Sequence, residues 1–507
     1  MVWVMFIGLY VLNTIFMLIV AVREARRPAL ALNYLAVRLV LPVIGSILYL
    51  ISSRPVHIRS ERLTCPNNES DTLPDSFSRS AMVIAHGLRH FTVNGLRTGQ
   101  VQVLTNGSET YEELTESLKN AQKAIDLEYY IYRNDRIGSR ITELLIERAK
   151  AGVQIRFIRD GWASRRFPRS QIVRMMNAGI ECRIIFPLRF PRFLSTLNYR
   201  DHCKIVVIDG REAFTGGINV GDEYLGLDPK IGFWRDTHLR IVGEVEADLQ
   251  AIFNAHWKIA SPERTSTWIS KKSEVTENLT SDTRQGSHKI PTLDSPALSV
   301  LMAEWGSDLG TMVADNRASR TKMLREAYVQ TLEGNPLIPT PVIRQAYFSC
   351  ITQAAKTIDI TTPYFVPDAD IIMAIKMAVA RGVRVRLLVP HRVIPGVVGP
   401  ASRTYYGELL EAGVRIYLYD KGMLHAKVMV IDEEVAEVGA ANYDMRSFRL
   451  DYEVCEFIYS VDVARDLTEQ FESDLMDSIP LRIEDFQKRT IPQRILEQGA
   501  RLLAPLL

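Results

Sequence analysis

His202-Cys203-Lys204-Ile205-Val206-Val207-Ile208-Asp209 and His425-Ala426-Lys427-Val428-Met429-Val430-Ile431-Asp432 are two versions of one octapeptide. Each has the form H-x-K-x4-D, and each is followed, 17 positions after its histidine, by an asparagine, Asn219 or Asn442. The apolar runs 205–208 and 428–431 show no polar alternation, so they belong in the middle of a sheet covered on both faces. Positions i and i+2 of a strand share a face. His202 and Lys204 therefore point one way, as do His425 and Lys427, while Cys203 and Ala426 point the other. Asp209 and Asp432 fall on the opposite face at the strand end, which suits an architectural role.

The flanks repeat as well. Ala124-Ile125-Asp126-Leu127 corresponds to Thr357-Ile358-Asp359-Ile360, and Ala151-Gly152-Val153-Gln154-Ile155-Arg156 to Arg381-Gly382-Val383-Arg384-Val385-Arg386. Short β-branched runs (155–158, 385–389) alternate with stretches of helical spacing (140–150, 370–380). The expected class is α/β: two repeated α/β sandwich domains about a pseudo-two-fold. The organisation predicted is a membrane hairpin over 1–52, a connecting region over 53–100, a first repeat over 101–260, a polar linker over 261–292, and a second repeat with a C-terminal tail over 293–507. Copy one has the longer approach to its histidine (178 to 202, against 412 to 425). The excess includes Pro187-Leu188-Arg189-Phe190-Pro191-Arg192-Phe193-Leu194, cations alternating with apolar bulk, which reads as a loop lying in lipid headgroups.

The chain has 507 residues, too many for one core. Lys and Arg number 61 against 59 Asp and Glu, which argues against a bulk basic surface built for nucleic acid and leaves room only for a local patch. Five scattered cysteines, none in a C-x-x-C pair, argue against a disulfide scaffold or a cysteine zinc site and fit a reducing compartment. Residues 1–22 carry no charged side chain and are long enough to cross a hydrocarbon core about 30 Å thick. With no basic residue ahead of them, they read as an uncleaved anchor. A second apolar stretch, 29–52, is interrupted by Arg38, whose cost at mid-membrane is roughly 3 kcal/mol. Either Arg38 faces the first helix or the headgroups, or only Leu39–Ser52 enters the lipid as a short, tilted or re-entrant piece; a helical hairpin is the expected form. The expected location is the cell (inner) membrane, multi-pass, with the catalytic part cytoplasmic.

The candidate catalytic set is His202, Lys204, Asp209, His425, Lys427 and Asp432, with Asn219 and Asn442 as phosphate-binding amides. A pseudo-two-fold would bring two of each type to one pocket. Two lysines and two amides suit the non-bridging oxygens of a phosphodiester. One neutral imidazole can attack phosphorus while the other, protonated, serves the leaving alkoxide. Such chemistry needs no metal and no other cofactor. Asp236 and Glu453, acids downstream in each repeat, are candidates to hold the second ring nitrogens and fix the tautomers.

At these residues the sequence resembles the phospholipase D superfamily and, within it, the bacterial cardiolipin synthases. The likeness extends to Asn198-Tyr199-Arg200-Asp201-His202, Gly216-Gly217-Ile218-Asn219, Trp234-Arg235-Asp236-Thr237-His238, Thr361-Thr362-Pro363-Tyr364-Phe365, Asn442-Tyr443-Asp444-Met445-Arg446 and Pro505-Leu506-Leu507. The resemblance implies a membrane enzyme that joins two phosphatidylglycerol molecules into cardiolipin with release of glycerol. It also favours His202 as nucleophile, as does the long loop before it. Gly217 and Ala440 stand where the superfamily often has Ser, and Asp451 where such enzymes more often have Asn. A phospholipase D-type hydrolase, a transferase using another alcohol, and a non-catalytic membrane scaffold are the rivals. The reading leaves room for a homo-oligomer.

Overall fold

Central strands form where the two octapeptides stand, in a computed structural model that describes residues 2–23, 73–187, 199–229, 231–263, 323–338, 340–393, 396 and 398–502. The first repeat contributes β1 (Arg97–Thr105), β2 (Ala124–Tyr129), β3 (Gln154–Asp160), β4 (Glu181–Ile185), β5 (Arg200–Asp201), β6 (Lys204–Ile208), β7 (Glu212–Gly216), β8 (Trp234–Arg235) and β9 (Thr237–Gly243). The second contributes β10 (Arg325–Gly334), β11 (Thr357–Thr361), β12 (Phe365–Val366), β13 (Arg384–Pro390), β14 (Arg415–Tyr419), β15 (Met423–Leu424), β16 (Val428–Ile431), β17 (Val435–Gly439), β18 (Tyr443–Asp444), β19 (Asp451–Tyr459) and β20 (Ser478–Leu481).

The strand pairing is the same in both copies. β2 lies parallel to β3, and β3 to β4, while β6 runs antiparallel to β2 and leads through β7 to β9. β11, β13 and β14 are likewise parallel, and β16 is antiparallel to β11 and leads through β17 to β19. The repeats join where β1 pairs antiparallel with β10, Arg97 opposite Val329. β1 begins at Arg97, ahead of the boundary expected at 101. Two short parallel pairs also cross between repeats: β5 with β19, and β8 with β15.

Both faces of the central strands are covered, as the unbroken apolar runs require. Val101, Val103, Ile205 and Val207 of the first repeat share a core with Val428, Val430, Val438 and Tyr452 of the second. Helices α7 (Val342–Gln353), α8 (Ala369–Ala380) and α9 (Val398–Ala412) cover the outer face of the second sheet through Ile343, Tyr347, Ile375 and Leu409; α1 to α6 are Val2–Arg23, Arg79–Leu88, Asn106–Asn120, Arg136–Lys150, Arg169–Asn177 and Glu246–Ile259. Each such aliphatic side chain contributes roughly 1.5–3 kcal/mol on burial. The repeated Ile-Asp pairs carry an ion pair inside the fold: Arg156 grips Asp126, and Arg386 grips Asp359, each with two nitrogens at 2.6–2.7 Å.

The octapeptide aspartates close the opposite end of the strands from the histidines. Asp209 (φ 56°) and Asp432 (φ 54°) both adopt the left-handed conformation that Asp tolerates better than most residues. Asp209 accepts the backbone N–H groups of Gln122, Lys123 and Ala124, at 2.6–2.9 Å. Asp432 accepts those of Ala355, Lys356 and Thr357, the shortest at 2.6 Å. Each carboxylate thereby ties the start of the neighbouring strand to the strand that bears the histidine and lysine.

By compactness the chain divides into Met1–Ser261 with Leu324–Leu507, and Pro262–Met323. The expected polar linker falls almost wholly outside the described residues, as do the second apolar segment and all but Pro187 of the loop before His202. The first apolar segment is α1. Its side chains are described mainly over 10–20, and among the described residues no helix is long and apolar enough to cross a membrane.

Asp432→Ala should lower stability by about 2–3 kcal/mol, because three backbone donors lose a charged acceptor. Chemical denaturation measures this. Folded variant should keep most of its turnover; loss of turnover at unchanged stability would put Asp432 in the reacting shell.

Candidate active site

The crossing strand pairs decide the geometry. β5 delivers His202, whose backbone N–H donates to the Tyr452 carbonyl on β19 at 2.9 Å. β15 delivers His425, whose N–H donates to the Arg235 carbonyl on β8 at 2.7 Å. The side chains continue the exchange. Glu453 Oε2 lies 2.9 Å from His202 Nδ1, and Asp236 Oδ2 lies 2.7 Å from His425 Nδ1. Each repeat supplies the acid that orients the other repeat's histidine.

The lysines take the side that their spacing predicts. Lys204 Nζ donates to the His202 carbonyl at 2.6 Å, and Lys427 Nζ to the His425 carbonyl at 2.5 Å. Lys427 Nζ also lies 2.9 and 3.1 Å from the two ring nitrogens of His425. Lys204 and Lys427 are almost fully buried. Burial pushes Lys427 down to about 7, the Lys204 charge adds to that, and Asp236 and Glu453 work against it. Lys204 is lowered too, by burial, against the same acids.

The imidazoles feel both lysines, which ties the two motifs into one site. His202 is held well below its ordinary value by burial, then by Lys204 and Lys427. His425 falls to about 4, from burial and Lys427, with Asp236 opposing. The acids diverge. Burial raises Asp236, but His425 and Lys427 outweigh it and keep this carboxyl well below the usual range. Burial wins at Glu453, which rises to about 8 despite Lys204.

The amides are less free than expected. Asn219 Oδ1 accepts the Ile131 N–H at 3.0 Å, and its Nδ2 donates to the Tyr224 hydroxyl at 2.7 Å. These two contacts leave one Nδ2 hydrogen of Asn219 unused. Asn442 is held through Ser447, and its Oδ1 is buried with no partner among the described residues.

Several contributors carry no signal in the motif spacing. Tyr130 packs edge-on against His202, with ring centroids 4.7 Å apart, and Trp234 lies 5.2 Å from His425. His256 bridges the repeats beneath the site: Nδ1 is 2.5 Å from Glu128 and Nε2 is 3.0 Å from Glu333. Burial lowers His256, yet the two glutamates raise it well above its ordinary value, so it serves as a buried cation. Glu128, Asp201, Cys203 and His256 bring ligand-type atoms within 4.8 Å of one another. Those residue types could hold a cation, but both His256 nitrogens already face glutamates. Burial also raises Asp201 and the Cys203 thiol, which disfavours the charged forms that would bind a cation.

A family model described as "Cardiolipin synthase, PLD-like domain" matches residues 114–257 and 347–475, and both stretches contain a histidine–lysine pair described above. The chain belongs to this family. It is 40% identical to "Cardiolipin synthase 2" of Bacillus anthracis over 80% of this chain and 71% of that protein. It is 33% identical to "Major cardiolipin synthase ClsA" of Bacillus subtilis over 98% of each. Among solved structures, the phosphatidylserine synthase of Haemophilus influenzae Rd KW20 shares the fold, with a TM-score of 0.59 at 15% identity over 80% of this chain and 95% of that one.

Of the three positions set apart from the superfamily pattern, Gly217 and Asp451 have structural accounts. Gly217 has no side chain because a Cβ there would strike the Asp236 carboxylate that holds His425. Asp451 pairs with Arg446 at 3.1 Å, but burial raises it to about 8. A protonated carboxyl presents a donor on one side and an acceptor on the other, as an asparagine amide does.

Gly217→Ala should therefore displace Asp236 and cut turnover about 10–100-fold, the usual cost of disturbing a group that orients an active residue. Steady-state kinetics alongside thermal melting tests this. Unchanged turnover would mean that the Asp236–His425 contact does not matter to the chemistry.

Proposed function

We propose that this protein is a cardiolipin synthase that moves a phosphatidyl group from one phosphatidylglycerol to a hydroxyl of another and releases glycerol. The observation that carries this reading is the convergence of two imidazoles and two buried lysines, each imidazole backed by an acid from the other repeat. In the first step a neutral imidazole forms a nitrogen–phosphorus bond and the glycerol oxygen leaves, taking a proton from the second imidazole. In the second step that imidazole recovers a proton from the incoming hydroxyl, which attacks phosphorus and breaks the nitrogen–phosphorus bond. Lys204, Lys427 and the free N–H of Asn219 steady the non-bridging oxygens while charge builds. No step calls for a metal or other cofactor.

The proton inventory of the site favours a division of roles different from the one that the loop and the family resemblance favour. Ionised Asp236 accepts Nδ1–H from His425, which leaves the Nε2 lone pair of His425 to attack. Glu453, raised to about 8, keeps a proton at pH 7, so the Glu453–His202 pair holds one proton more than the Asp236–His425 pair. Burial and the two lysines hold His202 itself below its ordinary value, with the hydrogen bond to the Ala440 backbone opposing them, so the extra proton belongs to the Glu453–His202 pair and reaches the leaving group through His202. In this reading His425 is the nucleophile and His202 the acid.

In this reading the repeats are 97–260, from the start of β1, and 293–507, joined by 261–292, and the segment up to 96 connects them to a hairpin over 1–52 that holds the enzyme in the cell membrane. The four described cysteines are unpaired, in keeping with a cytoplasmic catalytic part.

Purified protein with phosphatidylglycerol in detergent should yield cardiolipin and glycerol. Phosphatidic acid as the main product would make it a hydrolase, and no turnover would make it a scaffold. Rapid quench with labelled substrate and peptide mapping should place the label on the peptide containing His425. Label on the His202 peptide alone would reverse the roles and leave the two-step scheme standing.

A further inference from the structure

The helix Ile491–Leu502 faces the wrong way for a helix in water. It follows α10 (Met445–Arg449), α11 (Val461–Met476) and α12 (Ile483–Gln487), and is α13. It packs on α9, yet the residues it buries are Glu497 and Ala500. Its large apolar side chains point out: Ile491 is 73% exposed, Ile495 67%, Leu496 64% and Leu502 49%. At about 100° per residue Ile491, Leu502 and Ile495 form one narrow stripe, and Leu496 lies about a quarter-turn further round, at the edge of the exposed face. The inward charge is tied down. Glu497 Oε1 is 3.2 Å from Arg403, and its other oxygen is paired with Arg489. Arg501 lies over the Tyr405 ring on α9, 4.6 Å from its centroid. The helix is therefore held in one orientation by contacts that keep its apolar stripe outside.

Its position relates it to the pocket. Tyr405 meets Phe365 edge-on, and Phe365 stacks on Tyr443, the neighbour of Asn442. A run of ring contacts thus leads from the Arg501 end of α13 to the active site. Residues 482–502 carry five cations (Arg482, Lys488, Arg489, Arg494, Arg501) against three acids (Glu484, Asp485, Glu497), and Glu497 is turned inward.

We propose that α13 lies in the headgroup layer of an anionic phospholipid bilayer, with Ile491, Ile495, Leu496 and Leu502 reaching the acyl chains, and that it seats the active site against the membrane. An exposed apolar stripe flanked by arginines is the composition of an interfacial helix. The excess cations select a negatively charged lipid surface over a second copy of this near-neutral chain. The proposal rests on the reading of the site as one that takes lipid substrate, which gives the catalytic end a reason to meet the bilayer.

The test uses the full chain in phosphatidylcholine vesicles containing phosphatidylglycerol. An environment-sensitive fluorophore is attached at Ile495→Cys in a Cys65→Ser background, the four other cysteines being buried. Lys150→Cys, exposed and away from the histidines, is the comparison position. The label at 495 should shift to the blue and be quenched by lipids brominated on their acyl chains, while that at 150 stays in water. A label at 495 that remains in water overturns the proposal. A blue shift that grows with protein concentration without lipid also overturns it, because a second copy then covers the stripe. In a separate arm, Ile495→Glu with Leu496→Glu should lose about tenfold turnover on vesicle phosphatidylglycerol and keep it on a short-chain, monomeric phosphatidylglycerol. Equal loss on both would mean a structural defect. If the unaltered protein turned over neither lipid, the proposed function would fail, while the depth measurement would still decide where α13 lies.

Discussion

The structure depends on the exchange of acids between repeats: Asp236 to His425, and Glu453 to His202. Two lysines and two imidazoles are almost wholly removed from water here, and a buried cation without a partner is costly. Acids of both repeats face those lysines, and the acid that faces each histidine belongs to the other copy, so neither repeat completes its own histidine–acid pair. The same crossing is written in the backbone, where β5 pairs with β19 and β8 with β15. One shared pocket follows from this, and with it a division of labour between two chemically similar histidines. His256 adds a second tie of the same kind, an imidazolium clamped by a glutamate from each repeat.

Around this exchange the rest of the fold sets register. A slip of one residue in β6 or β16 would turn Lys204 or Lys427 into the apolar core, since side chains alternate along a strand. Asp209 and Asp432 guard against such a slip, each holding the first backbone N–H groups of the adjacent strand. They act at the far end from the chemistry, so the third residue of the motif serves the first two through the strand that carries all three.

Much of this was legible in the sequence because it is local. The two-residue period of a strand put each lysine beside its histidine and sent Asp209 and Asp432 to the other end. The matched positions of Asp236 and Glu453 marked them as partners of the histidines. Their crossing was not legible, because spacing within a repeat carries no information about which copy an acid will meet. Asn219 was assigned to phosphate by its place after a turn; its contacts with Ile131 and Tyr224 depend on how that turn packs. His256 gave no signal, since Glu128 and Glu333 lie 128 and 77 positions away. The apolar stripe of α13 can be drawn from its sequence, but that it faces outward follows only from the arginines that hold Glu497 inside.

The crossed support is tested most directly by following the two histidines by NMR, in protein labelled at the imidazole carbons, through a pH titration. Single variants Asp236→Asn and Glu453→Gln are compared with the unaltered chain. Asp236→Asn should move the titration of His425 and leave that of His202 nearly unchanged, and Glu453→Gln should do the reverse. If each substitution moved the histidine of its own repeat instead, the two motifs would be separate sites, and the account of one pocket built by exchange would be wrong.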